Sequence, residues 1–221
     1  MCTHCVKGKM SRLPFSSRID KCTFPFEKVY TDIWGPSPVK SSEGYRYYVT
    51  FLDEYTRYTW IFPLCNKSDF FSVFVNFYNF IHTQFGLSIK CIQSDGGGEY
   101  VSHSFKTFLS TKGIEHLLSC PYTPQQNGLV ERKHRHIVET AITLLITAQL
   151  PIEFWYFACA HSVFLINRMP CKSNSMESPY YRLYTKQPDI KSLKVFGCAV
   201  YPSLRLYNAN KLQSRFEMCI F

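Results

Sequence analysis

The sequence predicts an α/β layer fold built on a mixed sheet, and three observations predict it. Three strand-length runs follow one another closely between residues 28 and 64, as in an antiparallel meander. An apolar stripe at helical spacing comes next, and strand-length and helix-length runs then alternate up to a long final helix. The chain is 46% hydrophobic and 17% aromatic over 221 residues, enough to bury the core of one domain with appendages.

The chain opens with MCTHCVKGK, in which Cys2 and Cys5 form a Cys-x-x-Cys pair. Two thiolates at this spacing can supply half of a tetrahedral zinc site, or be two ordinary thiols at a frayed terminus. Residues 11–26 are basic, contain Pro14 and Pro25, and read as a linker. Lys28–Trp34 alternates as a first strand that Gly35-Pro36 stops. Tyr45–Asp53 reads as a second strand and Tyr58–Leu64 as a third. Asp53 and Glu54 fall at the turn between them and read as solvated.

Ser68 is the expected N-cap of a helix starting at Asp69, with Phe70, Phe71, Phe74, Phe77, Tyr78 and Ile81 at helical spacing. Such an aromatic stripe reads as core that covers the meander. Leu87–Gln93 has strand length and follows a helix, so it can pair parallel to the first strand; Ser94-Asp95-Gly96-Gly97-Gly98 ends it. Three glycines there let the backbone bend tightly and admit a bulky ligand near the strand end. Glu99 reads as a capping or supporting acid.

Residues 102–113 read as a helix, 114–119 as a fifth strand and 129–148 as a long helix. Pro151 starts another helix that ends at INRMP, Ile166–Pro170. From Ser178 the chain becomes turn-rich and basic, and Lys194–Tyr201, KVFGCAVY, reads as a strand.

The formal net charge of +9 favours a polyanionic partner, nucleic acid before anionic membrane. The ten cysteines are even in number. The chain is not short, however, no signal segment opens it, and most cysteines sit inside apolar runs. A reducing, intracellular setting follows. No apolar run approaches the roughly 18 residues of a membrane span.

Three acids stand out. Asp32 lies on the first strand in VYTDIWGP. Asp95 ends the fourth in QSDGGGEY. Glu131 sits in the first turn of the long helix in PYTPQQNGLVERKHR, where the helix dipole tolerates a negative charge. Each taken singly reads as a turn or surface residue. Thirty-five residues separate Asp95 from Glu131. That interval and the words TDIWGP, SDGGGEY and PYTPQQNGLVERKHR resemble the acidic triad of retroviral-type integrases, and in particular the copia-type retrotransposon integrase. The turn Asp53, Thr56, Arg57 and the segment from Leu150 to Pro170 resemble the same family.

The resemblance implies a ribonuclease H-like fold, a mixed five-stranded sheet flanked by helices. It implies three parts: 1–21, the remnant of a zinc-binding region whose two histidines would lie upstream; 22–188, the catalytic core; and 189–221, the start of an SH3-like β module. It implies a DNA integrase acting in the nucleus as a homo-oligomer, with element ends and target DNA as partners and no membrane. Asp32, Asp95 and Glu131 would hold Mg2+ or Mn2+, while Cys2 and Cys5 would hold Zn2+ only if the histidines were supplied. Hard divalent ions take oxygen ligands and can stabilise both the attacking and the leaving oxygen of an in-line displacement. Water or a DNA 3′-hydroxyl would be the nucleophile.

Gln125, Asn127, Arg132, Lys133 and Arg135 are the expected DNA contacts, and His134 and His136 read as DNA-facing or solvated. Two other readings remain at this point: an inactive nucleic-acid-binding remnant, or a related ribonuclease H-like nuclease.

Overall fold

The computed structural model describes residues 22–119, 128–204, 207, 209–210 and 212–221. A five-stranded sheet carries the fold, in the order β3-β2-β1-β4-β5. Its strands are β1 (Lys28–Trp34), β2 (Tyr47–Asp53), β3 (Thr59–Leu64), β4 (Cys91–Ser94) and β5 (Glu115–Leu118). β1, β2 and β3 form an antiparallel meander, as their short links require. β4 and β5 join parallel to β1, each after a helical crossover.

The helices are α1 (Phe70–Phe85), α2 (Gly98–Val101), α3 (His103–Lys112), α4 (Gly128–Ala148), α5 (Trp155–Arg168) and α6 (Pro179–Tyr184). The mixed five-stranded sheet flanked by helices is the ribonuclease H-like fold that the sequence implied.

The alternation of strand residues sorts the sheet into two faces. Val29, Ile33, Val49 and Phe51 face α1 and α3, where Phe70, Phe74, Phe77, Ile81, Phe105 and Leu109 complete one core. Phe51 and Phe77 stack with centroids 4.2 Å apart and planes at 6°. On the opposite face Tyr48 packs with Ile137 and Ala141 of α4 and with Trp155, Ala158 and Val163 of α5. Tyr30 and Leu52 meet Val130 of α4 in a smaller cluster beside it. The stripe of aromatic residues on α1 is therefore core, as its spacing predicted.

Several local expectations change. The entry to α1 is a 3-10 turn, Lys67–Asp69, preceded by Asn66 rather than Ser68. The Asn66 amide donates to Asp69 Oδ2 at 2.8 Å, so Asp69 itself closes the helix start. The fourth strand begins at Cys91 and not at Leu87. Gly35 ends β1 at φ +125, where an added Cβ would lie 2.7 Å from the Arg46 carbonyl oxygen; only glycine fits. In the C-terminal part the expected strand shrinks to Ala199–Val200 (β6), paired antiparallel with Cys219–Ile220 (β7).

The reading of Asp53 as a solvated turn residue is wrong. It is 0% exposed and anchors the start of the sheet. Its Oδ1 accepts from the Phe26 amide at 2.8 Å, and its Oδ2 from the Thr56 amide at 2.8 Å and the Thr56 hydroxyl at 2.6 Å. A buried carboxylate is tolerated because its oxygens are met by donors.

Candidate active site

Two adjoining strand ends and one helix start bring the three acids to one edge of the sheet. β1 and β4 pair in parallel with Lys28 opposite Cys91, Val29 opposite Ile92 and Tyr30 opposite Gln93. Asp32 lies two residues further along β1, and Asp95 stands just past the end of β4 at Ser94. The charge of Asp95 acts on the Asp32 carboxyl, which places the two near one another. Asp95 Oδ1 accepts from the Gly97 amide at 3.0 Å, which closes the turn after β4. A Cβ at Gly97 would sit 2.9 Å from the Glu99 carboxylate and 3.1 Å from Asp95 Oδ1, so glycine makes room between two acids. Glu99 pairs with Lys67 Nζ at 3.7 Å.

Helix α4 brings the third acid. Val130, His134, Ile137 and Ala141 form its buried face at positions i, i+4, i+7 and i+11. Glu131 follows Val130 directly and so lies at the rim of that face, exposed. Asp32, Ile33, Trp34, Gly35, Pro36, Glu131 and His134 line an open cleft of about 440 Å³.

The electrostatics of the cleft are those of crowded acids. Burial raises the Asp32 carboxyl most, and the charges of Asp95 and Glu131 add to it. The Ile33 amide, donating to Asp32 Oδ1 at 2.9 Å, and the Lys67 charge pull the other way. The balance leaves Asp32 pushed up to about 7.

His134 is not DNA-facing or solvated. It is 6% exposed, and burial pushes its ring down to about 4 against an opposing contact to the Asp32 backbone. Its Nε2 lies 3.5 Å from Asp32 Oδ2 and 3.3 Å from Thr50 Oγ1, and its Nδ1 lies 3.2 Å from the Tyr48 hydroxyl. The helical spacing 130, 134, 137, 141 carried this signal. A polar residue on an apolar stripe was the clue.

The expected DNA contacts separate into three groups. Arg132 and Arg135 are exposed on α4. Lys133 is half-buried; burial lowers its ammonium pKa and Arg57 acts in the same direction, against Cys171. Gln125 and Asn127, like Cys2 and Cys5, lie outside the described residues. His136 is exposed, as expected. Lys67 was not singled out by sequence reasoning, because its place beside Glu99 depends on how α1 enters the fold.

The donor set suits a hard divalent cation: carboxylate oxygens only, on acids whose charges add to burial in raising Asp32. Among the described residues no group of three His, Cys, Asp or Glu side chains stands close enough to hold an ion. The acids share one edge of the sheet without meeting at one point. They fit the ion by chemistry and charge.

Residues 23–124 match the model of the integrase core domain family. Along 220 residues the chain is 45% identical to the retrovirus-related Pol polyprotein from transposon RE1 of Arabidopsis thaliana, covering 100% of this chain. It is 36% identical over 220 residues to that from transposon TNT 1-94 of Nicotiana tabacum, again covering 100% of this chain. The chain spans 15% of the length of the first polyprotein and 17% of the second.

Among solved structures, a chain of the simian T-cell lymphotropic virus intasome in complex with a PP2A regulatory subunit superposes with a TM-score of 0.66 at 17% identity. That match covers 97% of this chain and 74% of the other. The HTLV-2 integrase catalytic core domain in complex with magnesium has a TM-score of 0.54 at 17% identity, covering 72% of this chain and 97% of that one. At such identity the likeness is one of fold.

Proposed function

We propose a metal-dependent DNA integrase of copia type, since residues 23–124 match the integrase core domain model and the chain is similar along its length to transposon Pol polyproteins. The observation that carries the proposal is the electrostatic coupling of Asp32 to Asp95 and Glu131, three acids that come from separate parts of the fold. In this reading the reaction joins the ends of linear element DNA to target DNA by in-line phosphoryl transfer. The 3′-hydroxyl of the DNA, or water, attacks; no protein group becomes covalently attached.

Asp32, Asp95 and Glu131 would hold Mg2+ or Mn2+, which when bound supplies charge stabilisation for the phosphodiester oxygens. The residues of the chain itself orient the rest. Asp32 is fixed through Oδ1 by the Ile33 amide, and Asp95 through Oδ1 by the Gly97 amide. Exposed Arg132 and Arg135 stand one and four residues after Glu131, where phosphates would reach them. The cleft wall of Trp34, Gly35 and Pro36 bounds the space beside Asp32.

The division into residues 1–21, 22–188 and 189–221, the zinc half-site at Cys2 and Cys5, and action in the nucleus as a homo-oligomer belong to the same proposal. Among the described residues no helix is long and apolar enough to cross a membrane.

The test is strand transfer by purified protein with Glu131→Gln. Loss of transfer with an unchanged circular dichroism spectrum is the expected result. Transfer at the wild-type rate by that variant would refute the assignment. Cleavage of RNA–DNA hybrids without strand transfer would point instead to a ribonuclease H-like nuclease.

A further inference from the structure

We propose that His134 is a positioning residue for Asp32: a hydrogen-bonded chain from Tyr48 through His134 fixes the imidazole tautomer and thereby the carboxylate that faces the cleft. The inference rests on the reading of Asp32 as a cation-holding residue.

Three polar side chains surround the ring. The Tyr48 hydroxyl lies 3.2 Å from Nδ1, Thr50 Oγ1 lies 3.3 Å from Nε2, and Asp32 Oδ2 lies 3.5 Å from Nε2. Tyr48 is 0% exposed and Thr50 0% exposed, so neither hydroxyl turns to water. The sheet register places them there: Asp32 pairs with Thr50 and Trp34 with Tyr48, on the face that α4 covers. The Tyr48 ring is itself clamped against Trp34, with centroids 5.1 Å apart and planes at 16°.

The chemistry of the groups assigns the protons. When Asp32 is ionised its carboxylate only accepts, so Nε2 must then carry the proton for the contact to be attractive. The neutral ring then presents a bare lone pair at Nδ1. The buried Tyr48 phenol has a proton and needs an acceptor, and Nδ1 is the one within reach. The Thr50 hydroxyl accepts from the same Nε2–H. With the phenol removed, the Asp32 contact alone favours the Nε2–H tautomer, the preference weakens, and part of the population would turn a lone pair toward Asp32.

The consequence for Asp32 is geometric. Its Oδ1 accepts from the Ile33 amide, and its Oδ2 lies 3.5 Å from the imidazole Nε2, one contact on each oxygen. Each oxygen has a second lone-pair direction left for the cleft. A core histidine that merely filled space would be indifferent to the Tyr48 oxygen. A positioning histidine is not.

The first measurement is long-range 15N NMR of the His134 imidazole in the wild-type chain without added metal. A protonated Nε2 and an unprotonated Nδ1 are expected, with both shifts moving toward the mixed-tautomer values in Tyr48→Phe. A protonated Nδ1 in the wild type, or shifts that ignore Tyr48→Phe, would overturn the proposal.

The second measurement is strand transfer as a function of Mg2+, comparing His134→Gln, which keeps an amide donor on the side chain, with His134→Leu, which keeps volume alone. Removing such a supporting partner typically costs about 10–100-fold. The Leu variant should lose about tenfold or more in kcat and need more Mg2+, with KM for DNA little changed, and Gln should recover most of the loss. Equal kcat in both variants and wild type would overturn the proposal. If the wild type transfers no strand at all, the functional reading fails, and the NMR result still decides whether the chain of hydrogen bonds exists.

Discussion

Asp95, one residue beyond the end of β4, stands near enough to Asp32 on the neighbouring β1 for its charge to act on the Asp32 carboxyl. Burial and the Asp95 charge together push Asp32 up to about 7.

Adding Mg2+ should therefore produce a measurable binding isotherm that EDTA reverses. Asp95→Asn should weaken it by at least about tenfold, as loss of a direct ligand exceeds the usual cost of losing a supporting one. Isothermal titration calorimetry on both proteins checks this. Equal binding by the two would place the ion elsewhere.

DNA binding should be steeply salt-dependent. Arg132→Ala and Arg135→Ala should each flatten the slope of log K against log salt by about 1, because each exposed guanidinium releases a counterion on meeting a phosphate. Lys133→Ala should change the slope less, since its ammonium is half-buried near Arg57 and Cys171. Fluorescence anisotropy at several salt concentrations separates the three. A larger effect at Lys133 than at either arginine would contradict this ordering.

Asp53→Ala should destabilise the fold by about 3 kcal/mol, because charge-assisted hydrogen bonds to buried donors are lost together. The Phe26 amide and both Thr56 donors would be left without their acceptor. Urea denaturation gives the number; a change under about 1 kcal/mol would mean that water replaces the carboxylate easily.

Asn167 holds the edge of the sheet. Its side-chain oxygen accepts from the Thr59 amide at 2.9 Å, and its NH2 donates to the Thr59 carbonyl at 2.8 Å. β3 is an edge strand, and this side-chain amide pairs with it as a neighbouring strand would. Asn167→Asp keeps the acceptor and loses the donor, so the Thr59 carbonyl then faces a second acceptor. It should cost about 2–3 kcal/mol by chemical denaturation. Stability equal to wild type would mean that this edge is held by the strand ladder alone.

Cys171 should be the more reactive thiol when compared with Cys159. Burial pushes Cys171 up, but the Ser173 hydroxyl at 2.9 Å, the Ser173 backbone and the charges of Lys133 and Arg57 outweigh it and leave the thiol below its ordinary value. Cys159 is buried and pushed up to about 12. Thiolate is the nucleophile, so iodoacetamide labelling of Cys171 should rise with pH at a midpoint below 9.0, while Cys159 reacts only on unfolding. Peptide mass spectrometry after timed labelling reads both, and faster labelling of Cys159 in the native protein would contradict the assignment.

The sequence by itself determined the strand and helix order and the aromatic core face of α1, and it singled out the three acids, because alternation, helical spacing and motif words are local patterns. Element ends moved by a few residues, as at Cys91 and Asn66, where chain entry is set by packing and capping. The roles of His134, Asp53 and Asn167 were decided only by the tertiary structure. Each is a polar residue whose partners lie far away in the chain: Tyr48 and Thr50 for His134, Phe26 for Asp53, Thr59 for Asn167. A polar side chain looks solvated until the fold brings its partner and excludes water, and no local pattern records which distant group that will be.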